Sequence, residues 1–155
     1  MKLTSSVATL VVSVILGTIV CVPSFPIVFV YTISDEVCRR GVPNYLKFTL
    51  EQGLLLQGDC EIVMMGNYAD CANFGKEIDQ IPRVVKIETT EMASNRSDAF
   101  ANSTSTLFAG NRNGHLWISS AQRFFSLENL MVKKGYTEML HVEADNLLFG
   151  RVSEM

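Results

Sequence analysis

Hydrophobic and polar positions divide this chain into a targeting segment and a run of alternating strand and helix patterns. Between Leu3 and Ser34 no side chain is charged, and Val7 to Val22 is a predominantly apolar run ended by Pro23 and Pro26. Such a run sits at the short edge of the roughly 17 to 25 residues that span a bilayer, and at the long edge of a signal-peptide core. Val20-Cys21-Val22 is a poor small-residue cleavage pattern, so residues 1–23 read as a signal anchor, with a cleaved signal peptide as the alternative. Lys2 before the run directs the N-terminus to the cytoplasm and residues 24–155 to the lumen, although Arg39 and Arg40 pull the other way.

After the prolines, Ile27 to Ile33 is a continuous β-branched and aromatic run, the pattern of a strand buried on both faces of a parallel sheet. It ends at Ser34-Asp35, a helix-start or turn signal. Pro43 opens a helical segment in which Tyr45, Phe48 and Leu55 share one side and Leu46, Leu50 and Leu54 widen the stripe, until Gly58 closes it. Glu61 to Gly66 is a second buried-strand run, so strand, helix and strand make a βαβ unit. Pro82 to Thr90 holds a third, partly exposed strand, and the Ser-, Thr-, Asn- and Gly-rich stretch Ser94 to Gly114 reads as a long surface loop. From Leu116 to Lys134, Trp117, Ala121, Phe124, Leu127 and Met131 recur at helical spacing, with Lys133 and Lys134 suited to the C-terminal dipole and Gly135 as the stop. Glu138 to Gly150 is then a strand that acquires two carboxylates at its end. The fold class is α/β: a Rossmann-like, mostly parallel sheet flanked by helices and preceded by a hydrophobic segment.

At 155 residues, 48% of them apolar, the chain can bury one modest core. A net charge of -3 and 19% charged residues leave no basic patch to neutralise a run of phosphates, so no nucleic-acid partner is expected. Two sequons, Asn95-Arg96-Ser97 and Asn102-Ser103-Thr104, fall where a lumenal glycosylation machinery can reach them. Cys38, Cys60 and Cys71 lie beyond the apolar run, an odd number that allows one disulfide, with Cys60 and Cys71 the expected pair. No Cys-x-x-Cys spacing supports a zinc site.

Side chains alternate along a strand, so Glu143 and Asp145 point to the same side. At the C-terminal edge of a parallel sheet that side opens into the crevice where α/β folds bind ligands. Two carboxylates there suit a hard divalent cation, Mn2+ or Mg2+, whose shell substrate phosphates and water complete. The plainer alternative is that the pair solvates a strand end and starts a turn through Asn146.

The order of hydrophobic strand, helix, Cys60-to-Gly66 strand, Arg123-bearing helix and Leu140-His141-Val142-Glu143-Ala144-Asp145-Asn146-Leu147-Leu148-Phe149 resembles GT-A nucleotide-diphospho-sugar glycosyltransferases. The resemblance runs from about Pro26 to Gly150, the nucleotide-binding half of such a domain. It implies that the strand bearing Thr32 and Ile33 borders the donor and that Glu143-Ala144-Asp145 stands where the family carries Asp-x-Asp, with Asp145 the firmer metal ligand. It further implies that Asn146 and Arg123 contact the donor, the latter because a planar guanidinium matches diphosphate oxygens. The alternative for Arg123 is an ordinary residue on an amphipathic face. Glu143 departs from the commoner Asp by one methylene. GT-A domains continue past this motif with the acceptor site, whereas this sequence stops at Met155 and reads as a truncated or divergent form.

The leading expectation is therefore a membrane-anchored, lumenal glycosyltransferase-like protein that binds a nucleotide-diphospho-sugar through a divalent cation and passes the sugar to an unknown acceptor. A noncatalytic membrane-anchored or secreted module that associates through an uncovered sheet edge is the alternative, and a secreted α/β protein of unrelated function is the third. His115 and His141 read as structural, since neither pairs with a nucleophile, and Trp117, Phe124 and Phe125 read as core.

Overall fold

A computed structural model describes residues 25–58, 60–110 and 114–151, with the side chains of His115 and Leu116 outside that description. The N-terminal apolar run lies outside it too, and no described helix is long and apolar enough to cross a membrane.

The chain forms a three-layer α/β domain. Strand β1 (Ile27–Tyr31) leads through two helices, α1 (Asp35–Arg40) and α2 (Asn44–Leu56), to β2 (Ile62–Gly66). Helix α3 (Ala72–Asp79) connects to β3 (Val84–Glu88), and α4 (Asn95–Ser105) and α5 (Gly114–Lys134) cross back to β4 (Leu140–Val142). All pairings are parallel and the strand order is β3-β2-β1-β4. Successive strands thus step outward from β1 to β3, and β4 then lands on the opposite side of β1. That reversal is a topological switch point, the place where open α/β sheets form a crevice beyond their strand ends.

The continuous apolar runs become strands because both faces are covered. Ile27, Phe29, Ile62 and Met64 pack with Leu46, Leu50, Phe74 and Ile78 under α2 and α3. Val28, Val63, Met65 and Ile87 pack on the other face with Leu127 and Leu130 of α5. Ser34 caps α1, its Oγ accepting from the Val37 N–H at 3.3 Å, and Asp35 and Arg40 stand at the dipole ends that suit their charges. Gly41, at φ 84°, ends α1, and the Glu77 carboxylate of α3 sits against it, accepting from the Val42 N–H and from Lys47 Nζ.

Several expectations change. Ser94 to Gly114 is not a long loop, because Asn95–Ser105 is helical. Ser94 Oγ caps it by accepting from the Ser97 N–H, the Ser103 and Thr104 hydroxyls bond back to the Phe100 carbonyl, and Phe100 meets Phe125 at 5.4 Å. Local hydroxyl bonds and docking on α5 outweigh a composition that favours turns. On α2 the buried stripe is Leu46, Thr49, Leu50 and Gly53, while Tyr45, Phe48 and Leu55 are exposed. Two stripes at helical spacing run along that helix, and the sheet accepts the one whose glycine allows close approach to Ile62. Trp117 and Phe124 are likewise exposed, at 59% and 62%, because α5 turns Leu127 and Leu130 toward the sheet; Phe125 is half-buried against α4.

The expected Cys60–Cys71 bridge is replaced by Cys38–Cys71, with Cα atoms 5.6 Å apart. Cys60 and Cys71 stand at opposite ends of β2, and a five-residue strand is about 17 Å long, well beyond disulfide reach. Cys60 is a buried thiol at the strand's entrance. Finally, β4 is three residues long rather than extending to Gly150. After it the Asn146 N–H closes a turn on the Glu143 carbonyl at 3.0 Å, and the chain lies along α2, where Gln52 accepts from the Leu148 N–H and Gln57 donates to the Gly150 carbonyl.

Candidate functional site

An open cleft of about 630 Å³ lies at the switch point between the C-terminal ends of β1 and β4. Its walls include Thr32 beyond β1, Tyr45 at the start of α2, Ser119, Ser120 and Arg123 of α5, and Glu143 and Asp145 beyond β4. Sharing Tyr31, Thr32, Ser119 and Arg123 with it, a second hollow of about 360 Å³ continues past the ends of β2 and β3 toward Asn67, Thr90 and Asp98. The combined groove follows the edge where every parallel strand ends.

Four of the six residues singled out from the sequence meet there: Thr32, Arg123, Glu143 and Asp145. Ile33 does not, because its side chain is buried in the core and Asn67 holds both its backbone groups, accepting from the N–H at 2.7 Å and donating to the carbonyl at 3.1 Å. Asn146 is exposed in the turn that follows the acidic pair. Strand alternation is not what aligns the two carboxylates, since β4 has ended at Val142; the turn does, with buried Ala144 anchoring the segment between them.

Arg123 is the best-held charge of the site. Its Nε donates to the Ser120 carbonyl at 2.9 Å and its Nη1 to Glu143 Oε2 at 2.5 Å, with one fifth of the side chain exposed. The guanidinium and the first acidic residue therefore face the cleft as a pair. Asp145 lines the same wall. A divalent cation fits this donor set in part: two carboxylates, one of them already accepting from Arg123, with phosphate and water needed to finish the shell. Among the described residues no cluster of three or more His, Cys, Asp and Glu side chains is assembled.

The sequence reading missed the tyrosines. Tyr31, the last residue of β1, stacks on Phe74 with ring centroids 5.8 Å apart and shares a 3.0 Å hydroxyl contact with Tyr45. Burial, reinforced by that contact, raises the Tyr31 phenol well above its usual range, so it stays protonated. The available signal was position, since Tyr31 immediately precedes Thr32 at a strand's C-terminal end.

His141 on β4 turns toward α5 and meets the Phe124 ring edge-on at 6.1 Å. Its Nε2 is buried with no hydrogen-bond partner. Burial lowers its pKa, Glu143 opposes that shift, and Arg123 adds to it. The neutral imidazole thus rests edge-on against the Phe124 ring.

No protein-family model and no curated protein matches the chain.

Proposed function

We propose that this cleft binds the diphosphate of a nucleotide-diphospho-sugar and that the chain is a GT-A-like glycosyltransferase unit acting on an unknown acceptor. The observation that carries the reading is the coincidence of the Arg123, Glu143 and Asp145 cluster with the β1/β4 switch point of a parallel sheet. Arg123, pre-aimed by the Ser120 carbonyl, would hold a phosphate oxygen, and the groove running toward Asn67 and Asp98 offers room for the rest of the nucleotide. Asp145 and the second oxygen of Glu143 would hold Mn2+ or Mg2+, which when bound offsets the charge of a leaving diphosphate. The apolar N-terminal run and the Cys38–Cys71 disulfide support a membrane-anchored chain whose folded part sits in the oxidising lumen of the secretory pathway.

The test is calorimetric titration of the detergent-solubilised full chain with UDP and GDP, with and without Mn2+, beside an Asp145→Ala variant. Mn2+-dependent binding that the variant loses is the expected result. A folded protein that binds neither nucleotide sinks the reading.

A second reading, a noncatalytic binding or assembly module, draws on the outer side of β4. That side pairs with no strand among the described residues, and Phe124 and Phe149 are exposed on nearby elements. Concentration-dependent mass in light scattering, together with absent nucleotide binding, would favour it.

A further inference from the structure

Both sequons fall within α4, where Asn95 and Asn102 are separated by about two helical turns and therefore share one face. Both asparagines are exposed. The hydroxyl residues that complete the sequons point the other way. Ser97 is buried and accepts from Gln122 Nε2 of α5 at 3.3 Å, while Thr104 Oγ1 donates to the Phe100 carbonyl at 2.7 Å. Ser97 and Phe100 dock against α5 through Gln122 and Phe125, and Asp98 borders the adjoining hollow, whereas Asn95 and Asn102 stand exposed on the side of α4 away from Ser97 and Phe100.

We propose that Asn95 and Asn102 are sites of N-linked glycosylation, each accepting an oligosaccharide from a lipid-linked diphosphate donor. In each transfer the amide Nδ2 attacks the anomeric carbon. A carbon–nitrogen bond forms, the bond to the lipid diphosphate breaks, the diphosphate leaves with the electron pair, and the amide releases one proton. The folded helix ties down both sequon hydroxyls, so attachment precedes the folding of α4. Afterwards the same helix is compatible with the product, because two bulky, solvated groups project from exposed asparagines about 10 Å apart along its axis. The disulfide between Cys38 and Cys71 agrees with the compartment in which such donors are used. The proposal rests on the lumenal part of the functional reading and on none of its nucleotide chemistry.

The test expresses the full chain in cultured mammalian cells and compares gel mobility before and after peptide-N-glycosidase. Asn95→Gln, Asn102→Gln, the double variant, Thr104→Ser and Thr104→Ala are run alongside. Two mobility steps for the parent chain, one for each single asparagine variant and none for the double variant are expected. Thr104→Ser keeps both steps and Thr104→Ala keeps one. Protease protection in intact microsomes and alkylation of Cys38 and Cys71 report the compartment independently. A protected, disulfide-bonded chain with no mobility step overturns the glycan proposal and leaves the lumenal reading standing. Degradation from outside the microsomes overturns both.

Discussion

Arg123 Nη1 donates to Glu143 Oε2 at 2.5 Å, joining α5 to the end of β4 across the mouth of the cleft. The carboxylate is about half exposed, so solvent screens the pair and its worth to the fold stays within the range of surface ion pairs, below about 1 kcal/mol. A bound diphosphate makes a larger demand on the same guanidinium, since hydrogen bonds to charged groups contribute about 1.5–3 kcal/mol. Arg123→Ala is therefore expected to leave the urea midpoint nearly unchanged while weakening Mn2+-dependent nucleotide binding about tenfold or more. Arg123→Lys recovers little of it, because a point charge does not reproduce the planar fork. Unaltered affinity in calorimetry would remove Arg123 from the site.

His141 makes the stability of the domain sensitive to acid. Burial among apolar groups holds its folded-state pKa below the ordinary value near 6.5, so in the interval between those two values the unfolded chain binds more protons. Stability contributed by the neutral ring is complete above that interval and is lost as pH falls through it. Urea unfolding at a series of pH values between about 7 and 5 should show a decline that flattens in His141→Leu, which keeps the contact with Phe124 but cannot titrate. Parallel slopes for the two proteins would refute this.

Gly41 and Gly110 separate two costs of adding a methyl group. Both have positive φ, at 84° and 81°, so alanine at either position strains the backbone, and Gly41, whose ψ of -172° lies in a region essentially confined to glycine, carries about 1–3 kcal/mol. Around Gly110 a new Cβ meets nothing within 4 Å among the described residues, whereas at Gly41 it collides with the Glu77 carboxylate that holds Val42 and Lys47. Gly41→Ala should lower the melting temperature more than Gly110→Ala, and adding Glu77→Ala should narrow the gap. A gap that Glu77→Ala leaves unchanged would show that the carboxylate swings aside without loss.

The disulfide closes a loop with a sequence separation of 33, for which chain-entropy arguments give about 3–4 kcal/mol. Cys38→Ser with Cys71→Ser should lose most of that in urea unfolding. Cys60→Ser should preserve the bridge, seen as a chain in which a thiol reagent, after denaturation without reductant, labels Cys21 and neither Cys38 nor Cys71. Labelling of Cys38 in the parent protein would contradict the pairing.

What could be read ahead of the structure follows the strength of local signals. Ile27 to Ile33 and Glu61 to Gly66 carried the sheet, because runs buried on both faces have few alternative conformations, and Ser34 and Gly135 marked helix ends by their caps. The helical character of Asn95–Ser105 was hidden because its stability comes from Ser94 and from Phe125 on another helix rather than from its own composition. The faces of α2 and α5 were misread for a related reason: each bears two apolar stripes, and only the sheet decides between Leu46 and Phe48, or between Leu130 and Phe124. Within the site, Glu143 and Asp145 were legible as an acidic pair at a strand end, and Arg123 as a basic residue on the preceding helix. Their actual arrangement depends on a turn at Asn146 and on the Ser120 carbonyl, and a linear pattern contains neither.

The strand pairing of Ile27 with Leu140 has a bearing on how the domain assembles. The ladders from β1 to β2 and from β2 to β3 join neighbours in sequence, whereas β4 must return across the whole intervening chain to reach β1. Loop-closure entropy makes that ladder the costliest of the three to close, by about 1 kcal/mol over the β1–β2 ladder. The cleft is built on this closing seam, so it exists only in molecules that have finished the longest-range contact. A ligand that fills it selects those molecules and, by mass action, slows the fraying of β4, which couples occupancy of the site to the cooperativity of the fold.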